Sequence, residues 1–270
     1  MFRKVAQQAG IILAMSRVGF ATYLAYPAGV GMVFISYPIV ILMYRFVMSA
    51  VYEGGKVLAG YNLSGILTYV TVSWLLNTFY MTPTGRQLGA RVRDGMVAMD
   101  LVKPVNLMAL YFGQSLGRTL FRASFATIPL LAIFGLAGGI QAPAGALLPQ
   151  FLIAVACGYL INFELDYMIG LIAFFFGYNN GVRWGIRVAM TIAGGMVIPL
   201  NYLPPAVARV FMMQPTQYMF YQPLQLYLGR QSSPDAWITV AGALAWVLFL
   251  LAAAQLMQRA GTRRLSISGG

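Results

Sequence analysis

Catalysis and coordination need side chains that ionise, attack or donate to a metal, and this chain of 270 residues holds few of them. It has six carboxylates, one cysteine (Cys157), no histidine, and 18 Lys and Arg. Without histidine the commonest general base and the commonest metal ligand are both missing. A lone cysteine inside an apolar run supports neither a disulfide framework nor a thiolate metal site within one chain. The chain is therefore read as no enzyme in itself and as binding no cofactor. Its charges gather instead in two settings. Gly85–Asn106, GRQLGARVRDGMVAMDLVKPVN, carries Arg86, Arg91, Arg93, Asp94, Asp100 and Lys103. Arg118 with Arg122, and Glu164 with Asp166, stand within otherwise apolar runs.

The first setting has the pattern of a polar lever. Asp94–Asp100 is predicted to begin a short helix, with Asp94 near its N-terminus and with Lys103 and Pro104 beyond its end, charge positions that suit the helix dipole. Met96, Val97, Met99 and Leu101 would offer an apolar surface to a partner. The candidate docking residues are Arg91, Arg93, Asp94, Gly95, Asp100, Leu101, Lys103 and Pro104. Two plainer readings stay open: a solvated connection whose basic charge fixes topology, or a helix lying on the membrane without a partner. In the second setting, ionisable groups inside apolar runs are functional candidates by default. Glu164 and Asp166 would line a path for cationic or polar cargo, or one of them would pair with Arg122 as an internal ion pair. Residues two apart on a helix point ~200° apart, so both acids do not face one cavity.

What must position these residues is a membrane bundle. Apolar side chains make up 60% of the chain, charged ones 9%, and the mean hydropathy is +0.73, far outside the range of soluble domains. Met1–Tyr26 mixes Arg3, Lys4, Gln7, Gln8 and Arg17 with apolar residues and is predicted to be an interfacial amphipathic helix, with no cleavable signal peptide. Six spans are predicted: Pro27 to about Val51, Asn62 to Thr82, Gly113 to Gly139, Leu147 to Gly177, Trp184 to Ile198, and Ala236 to Leu256. Between the last two, Pro199, Pro204, Pro205, Pro215 and Pro223 forbid one regular helix, and a broken re-entrant hairpin is expected. Of the Lys and Arg, only Lys56, Arg209 and Arg230 fall on one side, with Arg45 inside the first span; the rest predict both termini and the loop 85–106 in the cytoplasm. The basic residues never gather on one soluble face, so nucleic acid is not expected as a partner. The whole chain, 1–270, reads as one domain: an interfacial helix over 1–26 and a bundle over 27–258.

The order of these features resembles the membrane subunit of type-2 ABC exporters, in particular a subfamily whose coupling loop reads like R-x-G-x-x-D/N-x-x-L-x-x-P-V. Here the corresponding stretch is Val92-Arg93-Asp94-Gly95-Met96-Val97-Ala98-Met99-Asp100-Leu101-Val102-Lys103-Pro104-Val105. The likeness continues through Phe174–Phe176, Gly194–Leu200 with Leu203-Pro204, Pro215–Tyr218, Pro223, Tyr227–Arg230 and the terminal Gly269-Gly270. The resemblance implies an all-α membrane protein of six spans, acting as half of a transport channel in a bacterial cytoplasmic membrane. It implies a second permease, identical or sister, and two cytosolic ATPase subunits that use ATP and Mg. The sequence has no G-x-x-x-x-G-K-[ST] loop to hold a nucleotide. A secondary transporter, which needs inverted halves and a coupling-ion site, and a membrane scaffold without transport are the rival readings.

Overall fold

The computed structural model describes residues 2–25, 28–177 and 180–268, and these are helical, with no strand among them. Pro27, expected to open the first span, Tyr178 and the terminal Gly269-Gly270 lie outside the described residues. The helices are α1 (Phe2–Ala25), α2 (Ala28–Val51), α3 (Leu63–Tyr80), α4 (Thr84–Arg93), α5 (Val97–Leu101), α6 (Leu107–Arg122), α7 (Ile128–Leu136) and α8 (Leu148–Leu171). They continue as α9 (Ala173–Phe176), α10 (Asn180–Ala193), α11 (Pro205–Met212), α12 (Tyr221–Tyr227) and α13 (Ser233–Ser268). Two asparagines start helices: Asn62 accepts from the Gly65 N–H at 2.8 Å to cap α3, and Asn106 accepts from the Met108 N–H at 2.8 Å to cap α6. A π-helical turn, Ala123–Thr127, joins α6 to α7.

Among the described residues, 4 segments are long and apolar enough to cross a membrane: Gly31–Val51, Leu107–Leu136, Gly145–Phe176 and Ser233–Arg264. The predicted second and fifth spans fall on α3 and α10, which do not meet that test. α10 has 14 residues, fewer than the ~20 a bilayer core requires. α3 has 18 residues and buries Thr68, Thr71, Ser73 and Thr78 along with its apolar side chains. A helix wrapped by neighbours does not need an oily exterior and is not selected by hydropathy.

The polar residues of α3 answer the proline-rich stretch. After α10 the chain turns at Gly195, whose φ of +78° is a left-handed value that glycine tolerates best. The carbonyls freed there need donors. The Tyr69 hydroxyl donates to the Gly195 carbonyl at 2.5 Å, Ser73 donates to the Met196 carbonyl at 2.7 Å, and the Tyr221 N–H donates to the Gly194 carbonyl at 3.1 Å. Beyond it the backbone becomes short pieces, α11 and α12, with a 3-10 turn at Pro215–Tyr218, as prolines inside a helix demand. Phe220, Leu224 and Met219 then insert into the core beside Ile66, Tyr69, Tyr80 and Ile161.

The N-terminal helix does not stand apart. α1 runs parallel to α6, and the contact is made by glycine. Gly113 and Gly117, one turn apart, meet the backbone of α1 at Ile12 and Ser16, and a Cβ on Gly113 would stand 2.6 Å from the Met15 Cβ. This is the small-xxx-small device of close-packed membrane helices. Phe20 packs edge-on to Phe121 at 5.2 Å. Gly117→Val is therefore expected to force α1 off α6, lowering the melting temperature and exposing residues 1–25 to protease. Gly10→Ala, where a Cβ meets nothing within 4 Å, is expected to leave both measurements unchanged.

Candidate functional site: the lever and its socket

The loop between α3 and α6 is mostly helix. α4 rises directly after Pro83, which contributes no side-chain cap, and the cap comes from elsewhere in the chain. Asp166 on α8 accepts from the Gly85 N–H at 2.8 Å and from the Thr82 hydroxyl at 3.2 Å. A buried carboxylate thus faces the positive N-terminal end of α4. The approach is close because glycine permits it: a Cβ on Gly170 would stand 3.0 Å from the Gly85 Cα, and one on Gly85 would collide with the Asp166 carbonyl. Leu88, fully buried, packs against the same face beside Tyr167 and Leu171.

The other charges around this elbow obey the same rule. Arg122 of α6 donates to the Met81 carbonyl and approaches the Thr78 carbonyl at 3.5 Å, and its guanidinium lies 5.6 Å from the Tyr23 ring centre. Asn162 of α8 donates to the Tyr80 carbonyl at 2.6 Å and accepts from Arg187 of α10 at 2.7 Å. A cation sits where α3 ends in free carbonyls and an anion where α4 begins in free N–H groups. No ion pair among the described residues joins Arg122 to Glu164 or Asp166, so of the two readings of these acids the internal pair is not the one seen. Helix ends take up these charges first. Arg118 likewise donates to Gln87 of α4 at 2.5 Å. Arg187, Asn162 and Gln87 were not singled out in the sequence; polarity inside apolar runs is the only signal for Arg187 and Asn162, and Gln87 lies in the charged loop itself.

Beyond α4 the chain reverses at Gly95, φ +71°, and makes the single-turn α5. Asp94, expected to open that short helix, instead closes α4, its N–H donating to the Ala90 carbonyl at 2.9 Å. Asp100 is 3% exposed and accepts from Arg91 at 2.5 Å, Lys103 at 2.8 Å and the Tyr111 hydroxyl at 3.2 Å. Three of the predicted docking residues, Arg91, Asp100 and Lys103, therefore clasp one another and tie the lever to α6. Burial pushes the Asp100 carboxyl up, but the hydrogen bonds from Lys103 and Arg91 outweigh it and hold the group below its ordinary value. Asp94, at the exposed tip, is held down by its hydrogen bond from Arg93. Val97, expected on the outer surface, is fully buried, while Met96, Met99, Leu101 and Val102 are exposed, Val102 at 85%. Gly95 and Pro104 are also exposed.

Glu164 points away from the elbow, as its two-residue offset from Asp166 requires. It lines a pocket of about 330 Å³ between α6, α8 and α13.

A helical bundle with several apolar helices long enough to cross a membrane defines a multi-pass membrane protein. Residues 38–269 match the family described as ABC-2 family transporter protein. The chain belongs to that family, which makes it a permease component of an ABC transporter, associated in general with ABC ATPases. No curated protein matches it. Within the loop, Ala98 occupies the place at which the subfamily-like pattern has its acid or amide, and the acid is Asp100.

Two outcomes follow from the socket. Asp166→Ala leaves the Gly85 N–H buried without an acceptor, a loss of about 1–3 kcal/mol, and is expected to lower the melting temperature; Asp166→Asn keeps an acceptor and is expected to lose less. A carboxyl held below its free value of about 3.9 contributes stability above that pH, and this is lost as pH falls through the folded value. Hydrogen exchange over residues 84–103 is therefore expected to stay slow, after correction for intrinsic rates, down to about pH 4 and to accelerate below it. In Asp100→Asn it is expected to be faster at neutral pH and to lose that acid step.

Proposed function

We propose that this chain is the permease half of an ATP-driven exporter, and that the segment from α4 to Lys103 is its coupling lever. The observation that carries the reading is the lever's construction: an internal Arg91–Asp100–Lys103 clasp makes it stiff, Asp166 and Arg122 fix its root, and an apolar tip of Met96, Met99, Leu101 and Val102 faces outward. A stiff arm with an exposed apolar end suits a groove on a moving partner. Arg93 and Asp94 flank that tip as a polar rim, with Gly95 and Pro104 exposed beside them.

In this reading two ATPases bind two levers, one from each of two permeases, identical or sister, and ATP and Mg belong to those partners. The chain crosses a bacterial cytoplasmic membrane six times, with α3 a crossing shielded by protein and α10 a short one. Both termini and the lever are cytoplasmic, in line with the distribution of Lys and Arg. α11 and α12 form the re-entrant hairpin, whose irregular carbonyls are capped by α3. ATPase closure pushes the lever, and the elbow passes that displacement to α3, α6 and α8.

The test is co-purification from native membranes of wild type and of Met99→Arg/Val102→Arg. A stoichiometric ATPase is expected with the wild type, and the double variant, with an unchanged melting temperature, is expected to lose most of it. Transport activity without any ATPase would establish a secondary transporter. A stable assembly with neither ATPase nor transport would establish a scaffold.

A further inference from the structure

The acid that the elbow does not use has no partner anywhere among the described residues. Glu164 is 3% exposed, accepts no hydrogen bond and joins no ion pair, and its Oε2 is fully enclosed without a donor. No Lys or Arg lines the pocket it faces. The wall is apolar, with Phe112, Leu160, Phe163 and Leu251, while Gln8 supplies a second enclosed oxygen, Oε1, that also lacks a donor. A carboxylate in such a place is costly unless a cation accompanies it. The pocket brings two buried acceptors against an apolar wall, and although the amides of Asn106 and Gln255 also line it, neither donates to them.

We propose that this pocket between α6, α8 and α13 binds the cationic group of an amphiphile, with Glu164 as its counter-ion, Gln8 as a second acceptor and the apolar wall around its hydrocarbon part. The ligand enters with its positive end toward Glu164, and aromatic faces at Phe112 and Phe163 add attraction for a poorly hydrated cation. Asn106, the cap of α6 and the last residue of the loop 85–106, lies on the rim. Occupancy therefore borders the coupling arm directly. The inference extends the permease reading by naming a ligand class, and its test contains no ATPase, so its failure leaves the co-purification result standing.

The test is equilibrium dialysis of radiolabelled tetraphenylphosphonium against the full chain in phosphatidylglycerol nanodiscs, with empty discs subtracted. Glu164→Gln keeps shape and hydrogen-bonding atoms while removing the charge. It is expected to weaken binding about tenfold or more, while binding of neutral triphenylphosphine oxide is expected to be the same in both proteins. Ala109→Phe, which fills the pocket and keeps Glu164, is expected to lose both compounds. Full tetraphenylphosphonium binding by a Glu164→Gln protein that melts like wild type overturns the proposal, and so does full binding by Ala109→Phe. Adding phosphatidylethanolamine separates the two sources of the cation: competition assigns the pocket to a lipid headgroup ammonium, and no competition assigns it to a soluble cationic amphiphile.

Discussion

Everything about the lever depends on how an elbow of backbone is kept satisfied where α3 ends and α4 begins. A helix end leaves carbonyls without donors and a helix start leaves N–H groups without acceptors, and here the two lie a few residues apart in the interior. Arg122 serves the carbonyls of Thr78 and Met81, Asn162 serves that of Tyr80, and Asp166 serves the Gly85 N–H. Two helices, α6 and α8, lend three polar side chains to one turn of chain. The elbow cannot shift without dragging α6 and α8 along, because moving it alone would strand buried polar groups.

The same constraint explains how a chain with 6 carboxylates distributes them. Asp166 is spent on the root of α4, and Asp100 on the clasp that holds Arg91, Lys103 and Tyr111 together. Asp94 balances Arg93 at the tip. These three fix geometry and leave the outward-facing surface of the loop to methionine, leucine and valine. Charge makes the arm rigid, and apolar area remains for a partner.

Close approach is the second requirement, and glycine supplies it at defined places. Gly85 and Gly170 bring α4 against α8, and Gly113 with Gly117 brings α1 against α6. Without side chains at these points the backbones come near enough for short hydrogen bonds such as that from Gly85 to Asp166. In a medium that offers no hydrophobic drive between helices, such packing is a main source of cohesion.

From the amino-acid sequence one can already conclude that the protein is helical and membrane-embedded, that residues 85–106 are its most charged stretch, and that prolines after Ile198 break the backbone into short pieces. Each rests on local properties: hydropathy over a window, the charge a bilayer rejects, the missing N–H of proline. The sequence also separates Glu164 from Asp166, since helical periodicity turns them to different faces. Only the tertiary structure decided which partners the charges take. Arg122 and Asp166 looked like a pair by sign and level, yet each found a helix end, because those ends come from α3 and α4, remote in sequence and legible only once folded. For the same reason α3 fell short as a span by hydropathy, Val97 turned inward and Val102 outward, and Arg187 joined Asn162: burial against another helix is a property of the assembled bundle, not of any stretch within it.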